Sequence, residues 1–253
     1  MSVTIVCHRG FRRMAPENTL AAADRAVSAG AHIVELDVRQ SRDGVLFVMH
    51  DPTVDRTTDG SGAICAMTSR EIERLDAGSW FEPQFSGEPV PRLETFLRSI
   101  AGRAGVYVEI KDADPYAVAA CVRACEIEQS CFFFSSDPRI RQGLHDAAPE
   151  FRKMIPIEYA ISVEAARHDH HASILEVRLP EASDDLRAAV HAAGMELMVY
   201  HERPEPAAFE RIIALRADYV NLDDPDLFLE TQRTLPGCAA NAQDRVPPVT
   251  APA

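Results

Sequence analysis

The chain is predicted to fold as an α/β protein, a TIM-type (β/α)8 barrel with a small insertion after the second barrel strand. Three observations support this. Short β-branched or aromatic runs starting near residues 3, 33, 105, 131, 153, 173, 196 and 219 give eight principal strands. Stretches of helical periodicity alternate with them, which builds parallel sheets through β-α-β units. The length of 253 residues, 46% hydrophobic and 26% charged, suits one barrel as well as two smaller domains.

Taken in order, Val3 to Cys7 reads as a buried strand that delivers His8-Arg9-Gly10 at its C-terminal end. Pro16-Glu17-Asn18-Thr19 opens a helix through Leu20, Ala23, Ala26 and Val27, with Asn18 or Thr19 as cap and Gly30 as the stop. Ile33 to Val38 is the second strand, and the Ser41-Arg42-Asp43-Gly44 turn leads to an added strand, Val45 to Met49, ending at His50-Asp51-Pro52. Residues 51–91 lose periodicity under Asp59-Gly60-Ser61-Gly62 and four prolines, so they read as an excursion with one short helix near Ser69 to Leu75. This excursion carries Trp80, Phe81 and Phe85, expected mainly to pin it to the body, with a substrate-facing role as the alternative.

Beyond Arg92 the alternation is regular. Helices are expected at Leu93–Ile100, Pro115–Glu126, Pro138–Ala147, Val163–Arg167, Asp184–Ala193, Pro206–Leu215 and near Pro225–Gln232. Strands are expected at Gly105–Ile110, Cys131–Phe134, Lys153–Ile157, Ser173–Val177, Glu196–Tyr200 and Tyr219–Leu222. The domain is therefore drawn as 1–235, with 236–253, rich in Pro and Ala and without apolar period, expected to be a disordered tail.

The net charge of −13 argues against an extended nucleic-acid surface and requires a local basic patch for any anionic substrate. The N-terminus shows no signal-peptide pattern, and no apolar run reaches about 18 residues, so stable membrane insertion is not expected and cytoplasm is the expected compartment. Cys7, Cys65, Cys121, Cys125, Cys131 and Cys238 contain no C-x-x-C pair and are read as reduced thiols.

In a barrel of this kind the active site lies at the C-terminal strand ends. Glu35 and Asp37, spaced i, i+2 on one strand, point to the same side, as do Glu109 and Lys111 on the next. An E-x-D pair can be two solvated edge residues. Buried on an apolar strand, however, like charges repel and lose hydration unless a cation lies between them. Glu35, Asp37 and Glu109 converging at one mouth form an oxygen-rich site for one divalent cation, Mg²⁺ or Ca²⁺. Around it stand Arg9, a fork for phosphate oxygens, and Lys111, a point charge. His8 and His50 can divide the proton work between the attacking and leaving oxygens, although a lone strand-end histidine can equally be structural. These parts suit phosphodiester cleavage.

His8-Arg9-Gly10, Ala15-Pro16-Glu17-Asn18-Thr19, Glu35-Leu36-Asp37-Val38, Asp43-Gly44, His50-Asp51, Asp55-Arg56-Thr57-Thr58, Pro91-Arg92-Leu93-Glu94 and Glu109-Ile110-Lys111 together resemble the ordered motifs of the glycerophosphodiester phosphodiesterase family over roughly residues 4–230. The resemblance implies the TIM-type barrel, metal at Glu35, Asp37 and Glu109, His8 and His50 as acid/base pair, and Arg9 with Lys111 at the phosphate. It also implies a small-molecule glycerophosphodiester substrate, cleaved to sn-glycerol 3-phosphate and an alcohol, and the 51–91 excursion over the mouth.

Three stretches depart from that pattern. Ser135-Ser136-Asp137 stands where an aromatic is usual, Tyr200-His201 where Trp-Thr is common, and Leu222-Asp223-Asp224-Pro225 in the closing motif. These touch the leaving-group pocket more than the reaction. His201 is read as a surface residue, with a polar contact to the alcohol as the alternative. His168, His170 and His171 precede a strand and are expected in a solvated loop at the opposite end; Asp223 and Asp224 follow the eighth strand at the active end, where Asp224-Pro225 is also a natural helix start, so capping is preferred to a site role. Two other activities fit the motifs: a lysophospholipase D or phospholipase-type enzyme, which would need an apolar rim from Trp80, Phe81 and Phe85, and a non-catalytic phosphate-binding barrel. Five buried charges without catalytic demand argue against the latter.

Overall fold

The computed structural model describes residues 3–235, so the expected tail at 236–253, including Cys238, lies outside the described residues. The first β-α-β unit is β1 (Thr4–Cys7), α1 (Leu20–Ser28) and β2 (Ile33–Gln40), followed by the short β3 (Leu46–Val48). After the excursion, which contains α2 (Ser69–Ile72), come α3 (Leu93–Ile100), β4 (Gly105–Asp112), α4 (Pro115–Ala124), β5 (Cys131–Phe134) and α5 (Pro138–Ala147). The second half runs β6 (Arg152–Pro156), α6 (Ile157–Ala160), α7 (Val163–His168), β7 (Ile174–Arg178), α8 (Asp184–Ala192), β8 (Glu196–Tyr200), α9 (Pro206–Leu215), β9 (Tyr219–Leu222) and α10 (Pro225–Thr234).

Eight strands close into a parallel barrel in the order β1-β9-β8-β7-β6-β5-β4-β2, sealed by pairing of β1 with β2. The added strand β3 pairs antiparallel with β2 at its outer edge. Across β2 and β4 the register sets Glu35 beside Tyr107 and Asp37 beside Glu109. This pairing brings the acidic residues of two strands together. The register then slips between Val38 and Arg39, an irregularity that falls just beyond the cluster.

Local chemistry accounts for the element starts. Thr19, not Asn18, caps α1 by accepting from the Ala22 amide, while Asp114 and Asp137 cap α4 and α5 just before Pro115 and Pro138, which need no donor there. The excursion helix is shorter than its pattern, because Thr68 and Glu71 form a capping box and only one turn follows. The strands are buried on both faces, with Phe132, Phe133 and Leu36 at 1% exposure or less, each contributing about 1.5–3 kcal/mol.

Two hydrophobic clusters result. The large one fills the barrel and the helix layer; the small one, Phe47, Met49, Val54, Ile64, Ile72, Ala77 and Val90, lies under the excursion. Cys7, Cys65, Cys121, Cys125 and Cys131 are free thiols. No helix among the described residues is long and apolar enough to cross a membrane.

Candidate active site

The carboxylates of Glu35, Asp37 and Glu109 present oxygens within 4.8 Å of one another. Strand alternation turns Glu35 and Asp37 inward while Leu36 and Val38 enter the helix layer. The β1–α1 loop anchors them. Arg9 and Asn18 take the left-handed backbone conformation, with φ of 57° and 60°. From there the Arg9 amide donates to Glu35 Oε2 at 2.7 Å, and the Asn18 amide group donates to Asp37 Oδ2 at 2.8 Å while accepting from the Asp37 backbone. Strained backbone held by such bonds is a feature of functional sites.

Lys111 pairs with Glu109 and lies 3.3 Å from Asp37 Oδ1, and Arg9 Nε lies 3.4 Å from Asp37 Oδ2. Even so, Glu35 Oε1, Asp37 Oδ1 and Arg9 Nε are buried without a hydrogen-bond partner among the described residues. Burial, then the charges of Asp37 and Glu109, pushes Glu35 well above the usual carboxylate range. Burial also acts on Asp37, but Lys111, Arg9 and His50 outweigh it and hold that carboxyl low. Unpartnered oxygens, like charges and an all-oxygen donor set fit a hard divalent cation.

Each candidate acid/base histidine is held by a carboxylate. His8 Nδ1 lies 3.2 Å from Asp223, which also accepts from Arg12 Nε at 2.7 Å and from its second nitrogen. Burial raises Asp223, but the bonds from His8 and Arg12 overcome it and leave the carboxyl below its ordinary value. His50 Nδ1 lies 2.7 Å from Asp51, whose pKa is driven far down by the Arg56 guanidinium and, after it, by His50. An ionised carboxylate only accepts, so each Nδ1 carries the proton and each Nε2 is left for chemistry. Arg56 also reaches Glu17, which accepts from Arg9, tying excursion to barrel.

A cavity of ≈ 210 Å³ opens here, lined by His8, Arg9, Glu35 and Glu109 on one side and Glu158, Glu176, Arg178, Tyr200 and Asn221 on the other. Asp37 is fully buried and Lys111 pairs with it, and neither lines the cavity. His50 lines a separate recess with Glu17, Asn18 and Met49, reaching the cluster from the excursion side. The aromatics that face the cavity are Tyr107, Phe134, Tyr159 and Tyr200; Trp80, Phe81 and Phe85 form an edge-to-face ladder apart from it.

The capping expectation for Asp223 and Asp224 is corrected. Asp224 occupies the cap position of α10 but its side chain pairs with Arg13 and makes no cap bond, and Asp223 is turned inward to His8. The cause is charge: two arginines of the β1–α1 loop draw both carboxylates away from the helix end. His201 packs edge-on against Phe209 and does not line the cavity. His168 ends α7 and His171 follows it, both exposed, and His171 stacks on His145 with ring centres 4.0 Å apart. Arg12, Glu176 and Asn221 are not among the residues singled out in the sequence, although Glu176 and Asn221 fall within the expected strands Ser173–Val177 and Tyr219–Leu222.

A family model described as the glycerophosphoryl diester phosphodiesterase family matches residues 8–227. The chain belongs to this family. Curated members include a glycerophosphodiester phosphodiesterase of Caldanaerobacter subterraneus subsp. tengcongensis, 45% identical over 112 residues, which are 44% of this chain and 46% of that protein. Another, from Bacillus subtilis, is 39% identical over 122 residues, 45% of this chain and 42% of that protein, so the matched stretch spans less than half of these relatives. The crystal structure of a glycerophosphodiester phosphodiesterase from Agrobacterium tumefaciens aligns with TM-score 0.89 at 47% identity, covering 90% of this chain and 100% of that one. An Oleispira antarctica phosphodiesterase, solved with the product sn-glycerol-3-phosphate, shares the fold at TM-score 0.79 and 24% identity, over 90% of this chain and 96% of that one.

Proposed function

We propose that the chain hydrolyses glycerophosphodiesters to sn-glycerol 3-phosphate and an alcohol, with one divalent cation, Mg²⁺ or Ca²⁺, held by Glu35, Asp37 and Glu109. The observation that carries this reading is the set of three converging carboxylates with unpartnered buried oxygens, flanked by two carboxylate-held imidazoles. When bound, the cation supplies charge neutralisation and polarisation at the phosphate. Arg9, which lines the cavity, offers its guanidinium to a phosphate oxygen, and Lys111 adds a positive charge beside the cluster. His8 and His50 share the proton transfers through Nε2: one removes a proton from the attacking hydroxyl and the other protonates the departing alkoxide. The attacking oxygen is that of the neighbouring glycerol hydroxyl or of water, and solvent oxygen-18 incorporation distinguishes them.

The family, and relatives named for this activity, support the reading. We read residues 1–235 as one catalytic domain with the 51–91 excursion at its mouth, working in the cytoplasm on a small soluble substrate. The test is product analysis on a panel of glycerophosphodiesters after chelation and after re-addition of Mg²⁺ or Ca²⁺. Metal-dependent release of sn-glycerol 3-phosphate is expected, and its loss in His8→Ala and His50→Ala. Near-normal turnover in both variants would remove the acid/base assignment, and metal-independent turnover would remove the cation.

A further inference from the structure

The wall of the cavity facing the carboxylate cluster takes no part in the chemistry described so far. Going round the barrel from His8, it consists of Asn221 on β9, Tyr200 on β8, Glu176 and Arg178 on β7, and Glu158 after β6. It begins at a reacting group, because the His8 ring stands edge-on to Tyr200 with centres 5.8 Å apart. Asn221 donates through Nδ2 to Glu176 Oε2 at 3.2 Å. Asn221 is only 4% exposed, yet its Oδ1 has no hydrogen-bond partner among the described residues. Glu176 receives its one side-chain hydrogen bond at Oε2, which leaves Oε1 unclaimed. Both residues line the cavity, and each carries an acceptor oxygen with no donor among the described residues, an arrangement that is costly until a ligand supplies one.

The charge of the wall narrows the choice of donor. Glu158 and Glu176 are set against one cation, Arg178, whose guanidinium is engaged over the Tyr200 ring at 5.4 Å. Burial raises Glu176 to about 7, with Glu109 and Glu158 adding to the rise against the Asn221 bond and Arg178. A positive ligand favours the ionised form.

Resting on the phosphodiesterase reading above, we propose that this wall is the leaving-group subsite and that Glu176 and Asn221 select an alcohol bearing a primary ammonium, as in an ethanolamine diester of glycerol phosphate. A primary ammonium brings three N–H donors to Glu176 and the Asn221 carbonyl, together with charge for Glu176 and Glu158. A quaternary ammonium has the charge but no N–H, and a neutral polyol has donors but no charge.

The test compares kcat/KM on glycerophosphoethanolamine, glycerophosphocholine and glycerophosphoglycerol for the metal-loaded wild type and Glu176→Gln. The ethanolamine diester is expected to lead the glycerol diester by about tenfold, as for one charge-assisted hydrogen bond, and the ratio should collapse toward one in the variant. Should Glu176→Gln fail to fold, Asn221→Ser keeps the carboxylate and removes the orphan acceptor, and the same ratio should fall. A wild-type preference for the choline or the glycerol diester, or a ratio that Glu176→Gln leaves unchanged, overturns the proposal. Calorimetric titration with ethanolamine and with glycerol separates the two readings. Ethanolamine binding that is lost in Glu176→Gln, with no diester cleaved, removes the hydrolytic reading and keeps the subsite; cleavage without head-group preference does the reverse.

Discussion

Replacing Asp223 by Asn isolates the role of a residue that touches neither substrate nor metal cluster. Asp223, 2% exposed, accepts from His8 Nδ1 and from two nitrogens of Arg12. The amide keeps the shape, removes the charge and turns a donor toward one of those partners. Hydrogen bonds to charged groups are each worth about 1.5–3 kcal/mol, but Arg12 is 28% exposed and water recovers part of its solvation. We expect a loss of about 1–2 kcal/mol, or about 3–6 °C in Tm for a chain of this size. The catalytic loss should be larger. Without an acceptor that fixes the proton on Nδ1, the imidazole no longer presents a free Nε2 reliably, and kcat should fall by about 10²–10⁴ with little change in KM.

The pH dependence provides a second readout. Burial raises the Asp223 carboxyl, but His8 and Arg12 overcome it and hold the pKa down, so its stabilisation is complete above the unfolded value near 4. That stabilisation is lost as pH falls through the folded value, so the gap between wild type and Asp223→Asn should be full at neutral pH and close in acid. Steady-state kinetics on a glycerophosphodiester and urea melts at several pH values measure both effects. A variant that keeps wild-type kcat would refute the orienting role of Asp223.

Glu35→Gln relieves the like-charge crowding and should stabilise the metal-free protein, while abolishing the rise of about 2.7 kcal/mol that a cation at a hundredfold its Kd confers on the wild type. Thermal melts with chelator and with Mg²⁺ or Ca²⁺ check it; an equal metal-induced rise in the variant would exclude Glu35 as a ligand. Glu176 has a folded pKa of about 7 against 4.5 unfolded, so wild-type stability should decline as pH rises across that window and stay lower above it. Glu176→Gln removes the decline, which is at most about 3 kcal/mol and nearer 1–2 because the side chain opens on the cavity; parallel urea curves at pH 5 and 8 would contradict it. Gly10→Ala places a Cβ 2.8 Å from the carbonyl carbon of Ala22 at a φ of 71° and should cost about 2 kcal/mol or more, read as a lower urea midpoint.

The barrel was readable because its signal repeats: each buried strand is a short β-branched or aromatic run, and Pro115, Pro138, Pro206 and Pro225 mark helix starts. The acidic cluster was readable because Glu35, Asp37 and Glu109 are costly on buried strands unless a cation joins them. Asp223 was not, since an acidic residue before proline looks the same whether it caps a helix or turns inward, and the Arg12 that decides the matter is 211 residues away. Glu176 and Asn221 escaped for a similar reason: a single polar residue on a strand gains meaning only from what stands across the barrel. Trp80, Phe81 and Phe85 do not line the cavity, which goes against the substrate-facing alternative and leaves the preferred reading of them untouched.

The small cluster of Phe47, Met49, Val54, Ile64, Ile72, Ala77 and Val90 has a bearing on durability. His50 follows Met49 of that cluster, whereas His8 directly follows β1 and all three carboxylates stand on strands of the main core. A handful of side chains holds the smaller body together, so it opens at lower free energy than the barrel. Its opening would withdraw one of two partners in proton transfer and leave the cation's carboxylates where they are. The excursion is then expected to act as a fuse: in mild heat or low denaturant, turnover should be lost before the barrel unfolds, which activity followed beside circular dichroism checks.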